Sequence, residues 1–154
     1  MKSPLRVIFD TNAYDEVVAR PGLLNRIQEL ASLEKLRIVH THVQEDQIAR
    51  IRYPAKRANL EQAHGVKVPT SGAVWDVSRW GDSTWGSGTG EVQLGDVMTS
   101  DGNHAEDALI ASTASVQADI LVTGDKRLRK RIQAKTPRLA VVTVDEFVAR
   151  IASL

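Results

Sequence analysis

Four short apolar runs constrain this chain more than any other feature. "RVIFD" (positions 6–10), "LRIVHTH" (36–42), "DILVTGD" (119–125) and "LAVVTVDEF" (139–147) are rich in Val, Ile and Leu, with little polar alternation inside them. Such runs are too short to be helices and read as strands buried on both faces, the signature of a parallel sheet. Between them lie stretches with helical spacing. The segment from Tyr14 to Lys35 places Val17, Val18, Leu23, Leu24, Ile27, Leu30 and Leu33 on one side, interrupted by "RPG" at 20–22. It reads as two short helices or one kinked helix. Thr41 with Gln44 fits a capping box that starts a helix near His42, with Val43, Ile48 and Ile51 inward. "HAEDALIASTASVQA" is a helix whose Ala108, Leu109, Ala111, Ala114 and Val116 pack closely, "KRLRKRIQAK" is a basic helix, and "DEFVARIASL" closes the chain. Strands alternating with helices predict an α/β fold: a three-layer α/β/α sandwich around a mainly parallel sheet.

Length and composition narrow the functional classes. At 154 residues the chain is the size of one domain, and no internal repeat or second domain stands out. A segment at about 66–100, rich in Gly, Ser and Thr and carrying Trp75, Trp80 and Trp85, reads as an insertion into it. The tryptophans can pin that insertion to the domain, stack on unpaired bases or anchor a partner protein. The net charge of +1 says nothing about partners. Cysteine is absent, which excludes a disulfide framework, a thiolate metal site and a thiol nucleophile. No apolar run approaches the roughly 20 residues that span a bilayer, and "MKSPLRVIFD" lacks a signal-peptide core. These features predict a cytoplasmic protein with no membrane association.

The chemical signal is a repeated placement of acids. Asp10 and Asp125 each follow a buried strand, Glu45 and Asp46 open the helix after "RIVHTH", and Asp107 lies among small residues in "EDALIASTA". In a parallel α/β sheet ligands collect beyond the carboxyl ends of the strands, so these acids are expected at one edge. Each has a bland alternative: Asp10 and Asp125 as helix caps, Glu45 and Asp46 as partners of a helix dipole. Carboxylates gathered together repel unless a cation intervenes. Mg²⁺ takes oxygen ligands, and one or two such ions can activate water and stabilise a leaving oxygen in phosphodiester cleavage. The basic run "KRLRKR" at 126–131 can neutralise phosphates beside such a site or form a solvated helix face. "ARIRYPAKR" at 49–57 is a second basic stretch. His40, His42 and His104 are isolated, and no arrangement fits a zinc site.

"VIFDTN", "EDALIASTA" and "ILVTGDKRL", in this order, resemble the PIN-domain family of ribonucleases, and the overall size is similar to the VapC-type toxins of bacterial toxin–antitoxin pairs. The resemblance covers nearly the whole chain except roughly positions 53–100. It implies an endoribonuclease dependent on Mg²⁺ or Mn²⁺, an RNA substrate, an antitoxin partner and a possible homodimer. It also implies metal ligation by Asp10, Asp107 and Asp125, with Thr11, Asn12 and Thr123 supporting the site and Lys126, Arg127 and Arg129 offsetting RNA phosphate. At the family's second acid the sequence departs: that glutamate falls on Gln47. Asp46 is the expected replacement, with Glu45 next. Two other classes remain open: a PIN-like domain that binds RNA or protein without cutting, and a phosphoaspartate enzyme built on "VIFDTN". The latter, in its haloacid-dehalogenase form, needs an acid where Asn12 stands.

Overall fold

Val7, Ile8 and Phe9 are almost completely withdrawn from water, as a strand in the middle of a sheet must be. They belong to β1 (Leu5–Phe9). The structure, a computed structural model, describes residues 3–55, 57–58, 65–71, 78, 80–84, 105–136 and 138–154. After β1 come α1 (Thr11–Ala19), α2 (Leu23–Ser32), β2 (Leu36–His40) and α3 (His42–Ala49). Short strands β3 (Val66–Lys67), β4 (Thr70–Ser71) and β5 (Ser83–Thr84) follow. The remaining elements are α4 (Ala105–Gln117), β6 (Ile120–Val122), α5 (Lys126–Gln133), β7 (Ala140–Val142) and α6 (Val144–Ile151). The central sheet has five strands in the order β3-β2-β1-β6-β7, all parallel. β4 and β5 form a separate parallel pair.

The period of two along β1 divides the core. Val7 and Phe9 point into a layer with Tyr14 and Val17 of α1, Ile27 and Leu30 of α2, and Phe147 and Ile151 of α6. Ile8 points to the other layer, with Leu109, Ala111 and Ala114 of α4 and Leu128 and Ile132 of α5. α3 serves both layers, Ile48 joining the first and Val43 the second. The result is the three-layer α/β/α architecture expected from the alternating pattern. Each fully buried Leu, Ile or Phe contributes about 1.5–3 kcal/mol, so both faces of the sheet must stay covered. Phe9 packs edge-on against Phe147 with ring centroids 5.3 Å apart, which locks α6 over the end of β1.

Local chemistry accounts for the element boundaries. "RPG" separates two helices, because Pro21 has no N–H to continue α1 and Gly22 adopts φ +77° before α2. Thr41 starts α3, its N–H donating to Gln44 Oε1 at 2.6 Å. The last strand is shorter than the run "LAVVTVDEF", since Thr143 caps α6 by accepting from the Glu146 N–H at 3.2 Å. Val116 is only half-buried, at the outer end of α4.

The segment expected as an insertion opens with the sheet's edge strand, two residues too short to leave a periodic signal. Trp80 in this region is 97% exposed, whereas Trp75, Trp85, His104 and most of 56–64 lie outside the described residues. No helix among the described residues is long and apolar enough to cross a membrane.

At the amino end of the sheet, Asp119 accepts from the Arg6 N–H at 2.9 Å and pairs with its guanidinium at 2.9 Å, fixing β1 against the start of β6. At the β2 edge, Gly65 has no room for a side chain: a Cβ there would collide with the Ile38 carbonyl oxygen. Gly65→Ala is therefore expected to cost about 1–3 kcal/mol and to lift β3 from β2. Chemical denaturation, with amide exchange at Val66 and Lys67 as the local probe, checks both effects.

Candidate active site

The order of the sheet places the crevice. From β1 the chain moves outward to β2 and β3, then returns to the other side of β1 with β6 and β7. The order reverses between β1 and β6, and ligands of open α/β sheets bind outside the carboxyl ends of strands at such a switch point. Asp10 follows β1 there, and Thr123, Gly124 and Asp125 follow β6.

Asp10 is both the cap of α1 and the centre of the acid group. Its N–H donates to the Val122 carbonyl at 3.0 Å, extending the sheet by one bond. Its Oδ1 accepts from the Ala13 N–H at 2.7 Å, and its Oδ2 accepts from the Thr123 hydroxyl. Thr123 Oγ1 in turn accepts from the Asp125 N–H at 3.1 Å. A continuous hydrogen-bonded path therefore joins the two strand ends. Asp10 is only 6% exposed. Burial raises its pKa, the bonds from Thr123 and Ala13 oppose that, and the charges of Asp107 and Asp125 raise it again; the net shift is upward. Asp107, half-buried in the first turn of α4, and Asp125 are thus near enough to Asp10 to repel it.

Asp125 caps α5, its Oδ1 accepting from the N–H groups of Arg127 at 2.8 Å and Leu128 at 3.1 Å. The three acids all sit at helix N-termini, whose positive dipole ends favour carboxylates.

The helix α3 turns Gln47, not Glu45, toward this edge. Gln47 Oε1 accepts from the Thr11 hydroxyl, and its Nε2 donates to Glu106 Oε2 at 2.5 Å. Glu45 lies about 200° around the helix from Gln47 at about 100° per residue. It pairs instead with His40 at 3.1 Å and with Lys67 at 3.1 Å. Burial pushes Glu45 up, but the hydrogen bonds from Lys67 and His40 outweigh it and hold the carboxyl below its ordinary range. Asp46 is half-buried on α3, between these two directions. His40 is buried and kept toward its neutral form, mainly by that burial. His42 is fully buried at the start of α3. Asn12 is exposed in the first turn of α1.

The basic helix has two populations. Leu128 and Ile132 anchor it, Lys126, Arg127 and Lys130 are exposed, and Arg129 is committed. The Arg129 guanidinium forks onto Glu146, with Nη1 2.9 Å from Oε1 and Nη2 3.1 Å from Oε2, tying α5 to α6. Nothing in the linear pattern signals the links from Gln47 to Glu106 or from Arg129 to Glu146, because both depend on how helices pack.

Among the described residues, no three His, Asp or Glu side chains close on one point as a preformed metal cage. The donors nonetheless suit a hard cation: they are oxygen only, acidic and mutually repelling. Mg²⁺ keeps several waters and is held by one or two carboxylates together with substrate phosphate, so a full protein cage is not required.

An aspartate whose folded-state pKa lies above its unfolded value favours folding below the unfolded pKa, and that contribution is lost as pH rises through the folded pKa. Asp10 is such a group. Asp10→Asn is therefore expected to melt at a higher temperature than wild type near pH 8. The difference should shrink toward about pH 4, the ordinary aspartate range. Thermal melts across that interval check the sign, and a gap that does not change with pH would count against a repelled, buried carboxylate.

Comparison with protein-family models, curated proteins and solved structures finds no match to this chain.

Proposed function

We propose that the chain is a Mg²⁺- or Mn²⁺-dependent endoribonuclease of the PIN type, acting in the cytoplasm as the toxin of a toxin–antitoxin pair. The observation that carries the nuclease reading is Asp10: a buried carboxylate at the switch point of a parallel sheet, repelled by Asp107 and Asp125. Asp10, Asp107 and Asp125 would hold the ion. A bound divalent cation would supply water activation and stabilisation of the leaving oxygen in phosphodiester hydrolysis.

The chain's own groups have separable tasks. Thr123 orients Asp10 through Oδ2, while the Ala13 N–H fixes Oδ1. Asp125 is held by the first turn of α5, so it cannot swing away without uncapping that helix. Lys126 and Arg127 at the same helix end are exposed, and suit phosphates of an RNA strand approaching the acids. Arg129 acts mainly as the tie to Glu146. The toxin assignment, with its antitoxin and homodimer, is carried by the resemblance of "VIFDTN", "EDALIASTA" and "ILVTGDKRL" to the VapC-type proteins.

A second reading has one observation in its favour. An amide, Gln47, occupies the place of an acid on α3 and is hydrogen-bonded to Thr11 and Glu106. A PIN-like domain that binds RNA or a protein without cutting would tolerate that exchange.

The test is cleavage of a pool of structured and unstructured RNA with Mg²⁺, with Mn²⁺ and with chelator. Wild type is expected to cut only with metal, and Asp10→Asn to lose about a hundredfold or more. Equal cutting by the two proteins would reject the role of Asp10. No cutting by folded wild type with either metal would transfer the assignment to the binding domain.

A further inference from the structure

A polar cluster on the side of α3 turned away from Gln47 takes no part in the nuclease reading. His40 ends β2, Lys67 ends β3, Glu45 stands in the first turn of α3, and Asp82 precedes β5. A carboxylate only accepts, so His40 Nε2 donates to Glu45 Oε1 at 3.1 Å. Lys67 Nζ closes on Glu45 Oε2 and on Asp82 Oδ2, both at 3.1 Å. One glutamate therefore joins a buried imidazole to the ammonium of the edge strand. That ammonium reaches on to Asp82, whose carbonyl accepts from the Thr70 N–H of β4 at 2.9 Å.

Apolar burial does little to fasten β3. The strand is two residues long, shorter than most, and Val66 is 49% exposed. Its backbone pairs Val66 and Lys67 with Val39 and His40, and the Val68 N–H donates to the His40 carbonyl at 2.8 Å. The charges acting on the His40 ring come from two elements, Glu45 of α3 and Lys67 of β3. α3 also carries the buried His42 and the half-buried Asp46. β1, the other sheet neighbour, offers apolar Val7, Ile8 and Phe9. α2 packs through Ile27 and Leu30, while its Arg26 and Glu29 pair with each other at the surface. A proton on His40 would thus create a buried cation that must share Glu45 with Lys67. Burial is the largest influence on the ring and lowers its pKa; Glu45 opposes this, Lys67 adds to it, and the net shift is downward.

We propose that His40 and Glu45 form a proton-operated catch that holds β3 on the sheet at neutral pH and releases it on acidification. Protonation places a cation in register with Lys67 across the β2–β3 pair. Departure of β3 removes Lys67 and admits water to the ring, so the open form accepts the proton more readily. A histidine whose folded pKa lies below its unfolded value stabilises the closed form fully above that unfolded value, about 6.5. The contribution is lost as pH falls from there through the folded pKa. Glu45, whose carboxyl is held below its ordinary range, stays ionised across that interval. The catch lies apart from Asp10 and holds whether or not the chain cuts RNA.

The experiment follows the full chain by NMR from about pH 7.5 to about pH 5.5, the interval in which histidine titrates. It reads the His40 ring signals and the hydrogen-exchange protection of the Val68 amide, corrected for the intrinsic pH dependence of exchange. The Ala140 amide, bonded to the Asp119 carbonyl at the opposite edge of the sheet, is the control. His40→Gln keeps an N–H for Glu45 but cannot take up a proton. The wild-type ring is expected to titrate below the ordinary histidine value of about 6.5. Protection at Val68 should fall below that pH by up to about tenfold per pH unit, the limit for one proton. Ala140 should keep its protection, and in folded His40→Gln the fall at Val68 should vanish. A ring that titrates at or above the ordinary value overturns the catch, as does wild-type Val68 protection that does not change with pH. An equal fall at Ala140, or a fall that persists in His40→Gln, also overturns it. Should the variant not fold, the wild-type ring titration and the contrast between Val68 and Ala140 decide.

Discussion

Asp10 is a charge withdrawn from water, and the carboxyl edge of the sheet is arranged around that fact. Isolated burial of a carboxylate costs several kcal/mol unless hydrogen bonds replace the lost water. Here the replacements come from two directions. Ala13 offers the N–H of α1's first turn, and Thr123 offers a hydroxyl from beyond β6. The same contacts that make the charge tolerable also join two neighbouring strand ends. The Asp125 N–H then completes the path by donating to Thr123. Removing Thr123 would therefore loosen Asp10, the start of α5 and the β1–β6 junction at once.

This coupling lets capping coexist with the proposed chemistry at Asp10 and Asp125. A cap uses one carboxylate oxygen; at Asp125 both cap bonds fall on Oδ1. The cap sets the side chain's direction and the helix dipole favours its charge, which is also what a cation site requires of its ligands. At Asp10, by contrast, both oxygens accept hydrogen bonds, Oδ1 from Ala13 and Oδ2 from Thr123.

Legibility in the sequence follows the range of the interaction concerned. β1, the Thr41–Gln44 start of α3 and the break at Pro21–Gly22 depend on neighbours within a few residues, and all were visible in the one-dimensional pattern. The α/β/α layering was visible because the buried strands lack polar alternation. The facing of α3 was not. Its N-terminal half offers Glu45 and Asp46, yet rotation of the helix presents Gln47 to the edge, a choice set by packing of Val43 and Ile48 into opposite layers. Arg129 read as one of several basic residues until α6 brought Glu146 beside it. β3 escaped because two residues carry no period, and its place is marked instead by the bare backbone of Gly65 against Ile38.

The seam between β1 and β6 has a consequence for how the chain comes into being. Arg6 and Asp119, paired across that seam, are 113 residues apart in sequence. During synthesis β1 waits without its β6 neighbour until that later segment has emerged, and such long-range pairing is slow to form. Asp10 leaves the ribosome well before Thr123 and Asp125, which complete its surroundings. The nascent chain therefore carries Asp10 without the Thr123 hydroxyl that takes its Oδ2 in the folded protein. The edge of the sheet is therefore assembled only when β6 docks beside β1.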